Sequence, residues 1–398
     1  MKNQLLLGIN KEKLKDIGTT NIFQEITQQP NVWLRVLSHI QSKSCEINAF
    51  ISNVIQNQDF DVILVGAGSS EIVGKSALEV INTLLNNHAY AYSSTQIVMR
   101  PEKYITKNKP TLMISFARSG NSPESVAAIV SANTVNNRIY HIAVSCNKNG
   151  NLAQFTRNEK NCYSLELPAE THDKSFAMTS SFTSLYLTAI TIFQLNNLDE
   201  IRTHIEEVNV VVNRLLNHDS GFVKEIVDTF EFKKVIFLGS GLLQSIADES
   251  ALKMLELNSG KIMTFSNSPL GIRHGYKATI DEQTLVIFFI SDDLIVRLYE
   301  TDLLRELREK SNHTPRILVV TNTDSDEIRA LSDYYYKFIS EINPMPIEYL
   351  ALLDIVFAQV SSVYKSLKFG IFPDNPYPEG EMSRVVKGVT IYDLRNIN

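Results

Sequence analysis

Two short turns combine glycine with hydroxyl side chains where an apolar run gives way to a helical pattern. GAGSS occupies 66–70 and ARSGNS occupies 117–122. A helix N-terminus offers unpaired backbone N–H groups and the positive end of the helix dipole. Glycine lets the backbone come close to a ligand, and serine hydroxyls add further hydrogen-bond donors. The two turns therefore predict an anion site, above all for a phosphate. Its candidate side chains are Ser69, Ser70, Arg118, Ser119 and Ser122.

Plain helix capping is the alternative explanation of the same turns. Serine is a common N-cap, and Ser122 followed by Pro123 is typical of a helix start. GAGSS also lacks the third glycine of the dinucleotide-binding pattern, and the chain has no Walker lysine motif. The turns alone leave phosphate binding and capping open, and they argue against a nicotinamide cofactor.

A second set of reactive side chains lies in the other half of the chain. Glu249, Lys253 and Glu256 recur at i, i+4 and i+7, on one helical face, and His274 follows in SPLGIRHGYK. A carboxylate and an imidazole near a phosphate site are groups that can move a proton beside a carbonyl. The alternative is an ordinary helix ion pair, a solvated Glu256 and a loop histidine bonded to backbone.

Alternating strands and helices must position these groups. Apolar runs too short for helices lie at 62–65, 111–116 and 138–144, and longer amphipathic stretches lie between them at 71–87 and 123–137. This pattern predicts βαβ units and a mainly parallel sheet. Ligands bind at the carboxyl ends of such strands, where both serine turns fall.

The strand–helix unit occurs twice, with a period near 173 residues. FDVILVGAGSS at 60–70 matches FKKVIFLGSGLL at 232–243, and SALEV matches SALKM. Thr111 and Thr284 each open the next strand, 45 residues after the first glycine of their own turn. The second copy has the acidic turn FFISDDLIV, which is unsuited to phosphate. We expect one copy to keep the anion site and the other to supply the acid and base.

These patterns divide the chain into four parts. We expect an N-terminal helical segment at 1–55, an α/β domain with the serine turns at 56–218 and a second α/β domain with the acid/base residues at 219–369. An extended tail at 370–398 is expected because three prolines and two glycines fall within 370–380.

Composition excludes several classes of function. The 398 residues carry a net charge of −6 without a basic run, so nucleic acid is not an expected partner. No apolar stretch approaches the ~20 residues that span a bilayer; LVIFFI at 285–290 is about the longest. Cys45, Cys146 and Cys162 are widely spaced, which predicts buried thiols in a reducing cytoplasm and neither disulfides nor a zinc site.

Several of these motifs together resemble a known family. GAGSS, ISFARSGNS, the duplication and ESALKMLE followed by IRHG resemble the sugar isomerase (SIS) family of phosphosugar-binding domains, over about residues 45–395. KSFAMTSSFT at 174–183 and PDNPYPEGEMSRVVKGV at 373–389 resemble its AgaS subgroup. The resemblance implies two tandem SIS domains, each a mainly parallel five-stranded sheet flanked by helices in doubly wound, flavodoxin-like order.

The resemblance also implies roles for single residues. By comparison with the SIS domain of glucosamine-6-phosphate synthase, the serines of both turns hold the phosphate, and Arg118 stands where that enzyme has glutamine. Glu256 matches the residue that moves the proton between C1 and C2 of the sugar, and His274 matches the residue that opens the sugar ring. Glu249 and Lys253 match polar positions on the same helix as Glu256. A further side of the sugar site matches Thr179, Ser180 and Ser181.

One position departs from the family pattern, and the counterpart of one further family residue is undecided. Tyr276 stands where proline usually follows the histidine and glycine. A lysine near the C-terminus of the synthase reaches the sugar, and both Arg384 and Lys387 are candidates for its counterpart.

The expected activity is that of the subgroup. Its members are described as galactosamine-6-phosphate deaminases or tagatose-6-phosphate ketose/aldose isomerases, which implies release of ammonia by a hydrolytic step from a hexosamine 6-phosphate. A fructosamine-6-phosphate deglycase, another hexose-6-phosphate isomerase and a non-catalytic phosphosugar-binding regulator remain alternatives. No metal or organic cofactor is expected, and the family implies a homodimer.

Overall fold

The structure, a computed structural model, describes residues 5–309, 314–338, 345–386 and 388–392. The chain divides into two compact units. The first-sheet unit comprises Asn31–Asp173, Ser180–Arg202 and Glu379–Asn398. The second-sheet unit comprises Met1–Pro30, Lys174–Thr179 and Thr203–Pro378. Each unit therefore combines segments that are distant in sequence.

Helices follow one another through the N-terminal part of the chain. A short antiparallel pair of strands, which was not predicted, precedes them. The elements are β1 (Leu5–Leu6), β2 (Ile9–Asn10), α1 (Lys11–Asp16), α2 (Thr20–Thr27), α3 (Gln29–Ser42) and α4 (Ser44–Ile55). In the first-sheet unit Trp33 is fully buried and donates its Nε1–H to Thr183 Oγ1 at 2.9 Å.

A five-stranded parallel sheet forms the core of the first-sheet unit. Its strands are β3 (Asp61–Gly66), β4 (Ala89–Ser93), β5 (Thr111–Ala117), β6 (Ile139–Ser145) and β7 (Cys162–Glu166), in the order β4-β3-β5-β6-β7. The associated helices are α5 (Ser69–Leu84), α6 (Ser94–Met99), α7 (Pro123–Val135), α8 (Asn151–Asn158) and α9 (Ser180–Thr191). β3 and β5 are buried along their whole length, as in sheets covered on both faces.

A helical run leads toward the second sheet. α10 (Leu198–Arg214), a π-helical stretch at Leu215–Asp219 and α11 (Ser220–Thr229) follow one another without a break. The expected domain boundary at 218/219 lies inside this run.

The second-sheet unit has the same architecture. Its strands are β8 (Lys234–Leu238), β9 (Met263–Asn267), β10 (Thr284–Phe289), β11 (Arg316–Thr321) and β12 (Tyr334–Lys337), all parallel, in the order β12-β11-β10-β8-β9. The helices are α12 (Leu242–Leu257), α13 (Leu294–Glu309), α14 (Asp326–Ala330) and α15 (Ile347–Lys368). Two parallel five-stranded sheets flanked by helices confirm the predicted fold class.

Corresponding elements of the two copies show the duplication directly. α5 and α12 are both 16 residues long and begin 173 residues apart. Each follows a glycine with φ of 57°, Gly68 and Gly241, a conformation that favours glycine. Gly66 must also be glycine, because a Cβ there would lie 2.3 Å from the backbone of Ser70.

Helix α15 is longer than any unbroken apolar run of the sequence because it combines several such runs with a few charged residues. By length and composition alone, it is the one described helix that could cross a membrane. In the structure 89% of its most apolar window is buried, and it packs against α11 and α12. A buried core helix such as α15 of the second-sheet unit can therefore be as long and as apolar as a membrane-spanning helix.

The cysteines depart in part from the prediction. All three are free, and Cys146 is buried, which raises the pKa of its thiol to about 12. Cys45, however, is exposed and Cys162 only half-buried, so the prediction of three buried thiols is wrong for these two.

Candidate active site

The two serine turns follow neighbouring strands. β3 and β5 pair in parallel, with Val65 opposite Ser115, so their carboxyl ends lie side by side. GAGSS leads from β3 into α5, and ARSGNS leads from β5 into α7. The first-sheet unit thus places the predicted parts of the anion site at one edge of its sheet.

Neither helix that follows a serine turn has a side-chain cap in the described structure. The N-cap of α5 is Gly68, and that of α7 is Ser122, whose hydroxyl makes no capping hydrogen bond. Helix capping therefore does not explain Ser122. Ser69 and Ser70 lie in the first turn of α5 and are 6% and 7% exposed. N-terminal N–H groups and hydroxyls are grouped here as an anion requires.

The second turn is held in place by its surroundings. Asn147 Nδ2 donates to the backbone oxygen of Ser119 at 2.9 Å, and the amide of Leu152 donates to that of Gly120 at 2.9 Å. Gly120 has a φ of 64°, which few other residues adopt. The turn is therefore organised before any ligand arrives.

Basic side chains gather beside this turn. Arg118 is 8% exposed and donates Nη2–H to the backbone oxygen of Arg384 at 2.8 Å. Burial and then the charges of Arg384 and Arg118 lower the pKa of His172, and the charge of Asp173 opposes them. Two arginines near one carboxylate leave a net positive charge, which favours an anionic ligand. Sequence reasoning missed His172, and its position just before KSFAMTSSFT was the available signal.

The third predicted side of the sugar site opens helix α9. Ser180 and Ser181 are fully buried in its first turn. Asp173 Oδ2 accepts hydrogen bonds from the amide of Ser181 at 2.9 Å and from its hydroxyl. The hydroxyl proton of Ser181 is thus committed within the protein. Thr179, also fully buried, belongs to the second-sheet unit.

In the second-sheet unit, the start of KSFAMTSSFT is held by α2 and by the tail. The Glu25 carboxylate accepts a hydrogen bond from the amide of Ser175 at 3.2 Å and one from its hydroxyl. The backbone oxygen of Asp374 accepts from the amide of Phe176 at 3.1 Å, and its carboxylate accepts from the amide of Ile22 at 2.7 Å. The two stretches most specific to the subgroup therefore contact each other.

The acid/base residues of α12 form a buried ion triad. Lys253 Nζ lies 3.3 Å from Glu249 Oε1 and also contacts Glu256 Oε2. The side chains of Glu249 and Lys253 are fully buried, and that of Glu256 is 23% exposed. An ordinary surface ion pair with a solvated Glu256 is therefore the wrong interpretation. Burying charges is costly, so stability alone does not explain this triad.

His274 lies apart from this triad on an exposed loop. It ends the short 3₁₀ helix Gly271–Arg273, and its ring makes no hydrogen bond within the described residues. Glu306 anchors the loop by accepting from Arg273 Nε at 2.8 Å and from Lys277. These two bonds lower the pKa of Glu306 to about 2. Tyr276, at the family's proline position, is 57% exposed beside Phe265.

The structure thus brings together the predicted phosphate residues in one unit and Glu249, Lys253 and Glu256 in the other. Lys387, a candidate for a sugar-binding lysine, lies outside the described residues. Among the residues the structure describes, no group of three or more His, Cys, Asp or Glu side chains could hold a metal ion.

Comparisons with known proteins show what the chain is similar to. The family model described as "SIS domain" matches residues 55–193 and 230–367. D-galactosamine-6-phosphate deaminase AgaS of Shewanella sp. (strain ANA-3) is 37% identical over 394 residues, which cover 97% of this chain and 95% of the relative. The Escherichia coli protein of the same name is 35% identical over 371 residues, covering 93% and 94%.

Solved structures show the same relationship. A candidate tagatose-6-phosphate ketose/aldose isomerase of Clostridium novyi NT superimposes with a TM-score of 0.94 at 37% identity, covering 98% of this chain and 99% of that one. The tagatose-6-phosphate ketose/aldose isomerase of Escherichia coli gives a TM-score of 0.86 at 33% identity, covering 96% and 98%.

Proposed function

Because this chain belongs to the SIS domain family, we propose that it is a phosphosugar isomerase that converts D-galactosamine 6-phosphate to D-tagatose 6-phosphate and ammonia. The observation that carries the proposal is the buried triad of α12. The names of the relatives, galactosamine-6-phosphate deaminase among them, support the choice of reaction. Their names describe deaminases and isomerases, so the expected classification as a hydrolase is not supported.

Substrate binding is the task proposed for the first-sheet unit. The serines of the two turns and the N-termini of α5 and α7 hold the 6-phosphate, and Arg118 and Arg384 balance its charge. A phosphate fixed in this way holds one end of the open-chain sugar and limits the orientations that the rest of it can take.

Proton transfer is the task proposed for Glu256. Its carboxylate takes the proton from C2 of the open aldehyde. The electrons of the broken C–H bond form a C1–C2 double bond, the carbonyl electron pair moves onto the C1 oxygen, which takes a proton from solvent, and the amine stays on C2. Return of the proton to C1 gives an imine at C2, to which water adds, and ammonia leaves as the ketone forms. Lys253 holds Glu256 in place and balances its charge. Without an amine on C2, the same transfer completes an aldose–ketose isomerisation.

Glu256→Gln tests this role because the amide keeps the size of the side chain but cannot accept the proton. We expect the rate of ammonia release to fall at least ~100-fold, the lower range for loss of a general base, with little change in KM. Glu79→Gln, on the exposed face of α5, is the control and should behave as the unchanged protein. A Glu256→Gln enzyme with normal turnover would refute the assignment.

We also propose that the enzyme is a cytoplasmic homodimer in which His274 opens the ring of a sugar bound by the partner subunit. The exposed position of His274 and the absence of a hydrogen bond from its ring within the described residues support this arrangement. Light scattering on a sizing column measures the subunit number.

Mixing two inactive variants tests the shared site. In a mixed dimer of Glu256→Gln and His274→Asn subunits, one site receives Glu256 and His274 intact. We expect activity to reappear on mixing after subunit exchange. A mixture that stays as inactive as its parents, although mixed dimers form, would show that each subunit uses its own His274.

A further inference from the structure

The second copy of the fold carries a small acidic cavity where the first copy carries its serine turn. Asp292 lies 173 residues after Ser119, just beyond the end of β10. β10 pairs with β11, with Phe289 opposite Val320, so the segments after both strands lie side by side. The turn after β10 therefore occupies the same place in its sheet as the serine turn after β5, but it carries acidic side chains.

One side chain in this cavity is a buried carboxylate without a partner. Asp354, on α15, is 5% exposed and lines the cavity, yet it makes no hydrogen bond or ion pair within the residues that the structure describes. Carboxylates buried to this extent are normally paired. Some further species is needed to satisfy Asp354.

The neighbouring charges make that need greater. Burial, followed by the charges of Asp292 and Glu300, raises the pKa of Asp354. Glu300 is fully buried and accepts hydrogen bonds from Ser240 Oγ at 2.7 Å and the amide of Ser291 at 2.9 Å. No lysine, arginine or histidine in the described part of the chain forms an ion pair with any of these three carboxylates.

The remaining charged groups nearby are already engaged. Arg297 Nη1 donates to Thr323 Oγ1 at 2.8 Å and to the backbone oxygen of Asp292 at 3.2 Å. Asp293 accepts from the amides of Ile295 and Val296, both at 2.9 Å, at the start of α13. Neither group satisfies Asp354.

The size and lining of the cavity limit what can fill it. Its volume is about 10 Å³, about the space that one water molecule needs. The oxygen-bearing side chains that line it are Asp292, Thr321, Asn322 and Asp354. A divalent ion, which needs about six oxygens or several retained waters, does not fit this space. Potassium and ammonium are close to water in size and carry the missing charge.

We propose that this cavity binds one water-sized monovalent cation, potassium or ammonium, against Asp354 and Asp292. The site is separate from the serine turns and the α12 triad, and the inference does not depend on the proposed reaction. A cation that binds only the folded chain stabilises it.

Thermal unfolding at pH 8 in chloride salts of equal ionic strength tests the proposal. Relative to choline chloride, whose cation is too large for the cavity, potassium or ammonium chloride should raise the Tm by about 2–4 °C. The potassium and ammonium arms show which ion is preferred. An identical Tm in all the salts would overturn the proposal, because the cavity would then hold water beside a protonated Asp354.

Asp354→Asn assigns the effect to this residue. The amide has nearly the same shape without the charge, so the variant should melt higher than the unchanged protein in choline chloride and lose the response to potassium and ammonium. Asp302→Asn, an exposed carboxylate of α13, is the matched control and should keep the response. If the Tm of Asp354→Asn still rose with potassium or ammonium as much as that of the unchanged protein, the cation would not bind at Asp354.

A direct measurement covers the case in which the variant does not fold. Thallium(I) replaces potassium at its sites and scatters X-rays anomalously. Crystals of the unchanged protein grown with thallium(I) should show an anomalous peak beside Asp354, and no peak there would overturn the proposal.

Discussion

Single residues at the two strand-end turns decide which charge each copy of the fold can bind. Ser119 and Ser122 leave the first turn open to an anion, and Arg118 and Arg384 add positive charge beside it. Asp292 stands at the corresponding turn of the second copy, and Asp354 of α15 lines the same cavity, so this turn is unsuited to an anion. The chemistry proposed for the chain therefore follows from a few substitutions on one repeated backbone.

Arg384 has a testable place in the proposed phosphate site. If its guanidinium balances the charge of the phosphate, Arg384→Gln should weaken binding of inorganic phosphate at least about tenfold, because a hydrogen bond to a charged group contributes about 1.5 kcal/mol at the lower end of its range. Isothermal titration calorimetry measures the affinity. Arg100→Gln, an exposed arginine of the same unit paired with Glu102, is the control. Equal affinity in both variants would remove Arg384 from the site.

At the scale of elements, the strongest sequence signals were those of fully buried strands and glycine turns. The runs at 62–65, 111–116 and 138–144 became β3, β5 and β6, and no end of a strand differs from its run by more than one residue. The edge strands β4 and β7 were not located, because an edge strand is only partly buried and its apolar signal is weak. The contact between α2 and the tail was not predictable, since it joins Ile22 to Asp374 across most of the chain.

The same limit applies to the candidate site. Types and spacing placed Glu249, Lys253 and Glu256 on one helical face, but only the structure shows that Glu249 and Lys253 are buried. His172 carries no motif of its own, and its place near Arg118 and Arg384 depends on tertiary contacts.

Strand β6 carries a pH-dependent element of stability. His141 is 1% exposed, with Nε2 2.8 Å from Asn133 Oδ1, and burial lowers its pKa to about 4. The unfolded chain, with an ordinary pKa near 6.5, binds this proton more readily, so the free energy of unfolding falls as the pH drops from about 6.5 to 4. Urea unfolding between pH 7 and 4 should show a loss on the order of 3 kcal/mol from this group.

His141→Gln separates this effect from the titration of other groups. Glutamine stays neutral, so the variant should lose less stability than the unchanged protein over the same pH range, whatever its stability at pH 7. Parallel pH profiles for the two proteins would show that His141 does not contribute.

At the scale of the whole molecule, duplication supplies two scaffolds of one design for two tasks. Both sheets place a glycine turn and a 16-residue helix at equivalent points. The first pair became the proposed phosphate site, and the second helix acquired the ion triad that contains the proposed base.

Ammonia release from D-galactosamine 6-phosphate, with glucosamine 6-phosphate and fructosamine 6-phosphate run beside it, tests the central claim most directly. The account predicts ammonia from the galacto substrate with tagatose 6-phosphate formed in equal amount, and far slower turnover of the other two. Turnover of fructosamine 6-phosphate alone would indicate a deglycase. No turnover of any of them, with binding of sugar 6-phosphates intact, would contradict an enzyme and indicate a phosphosugar-binding regulator.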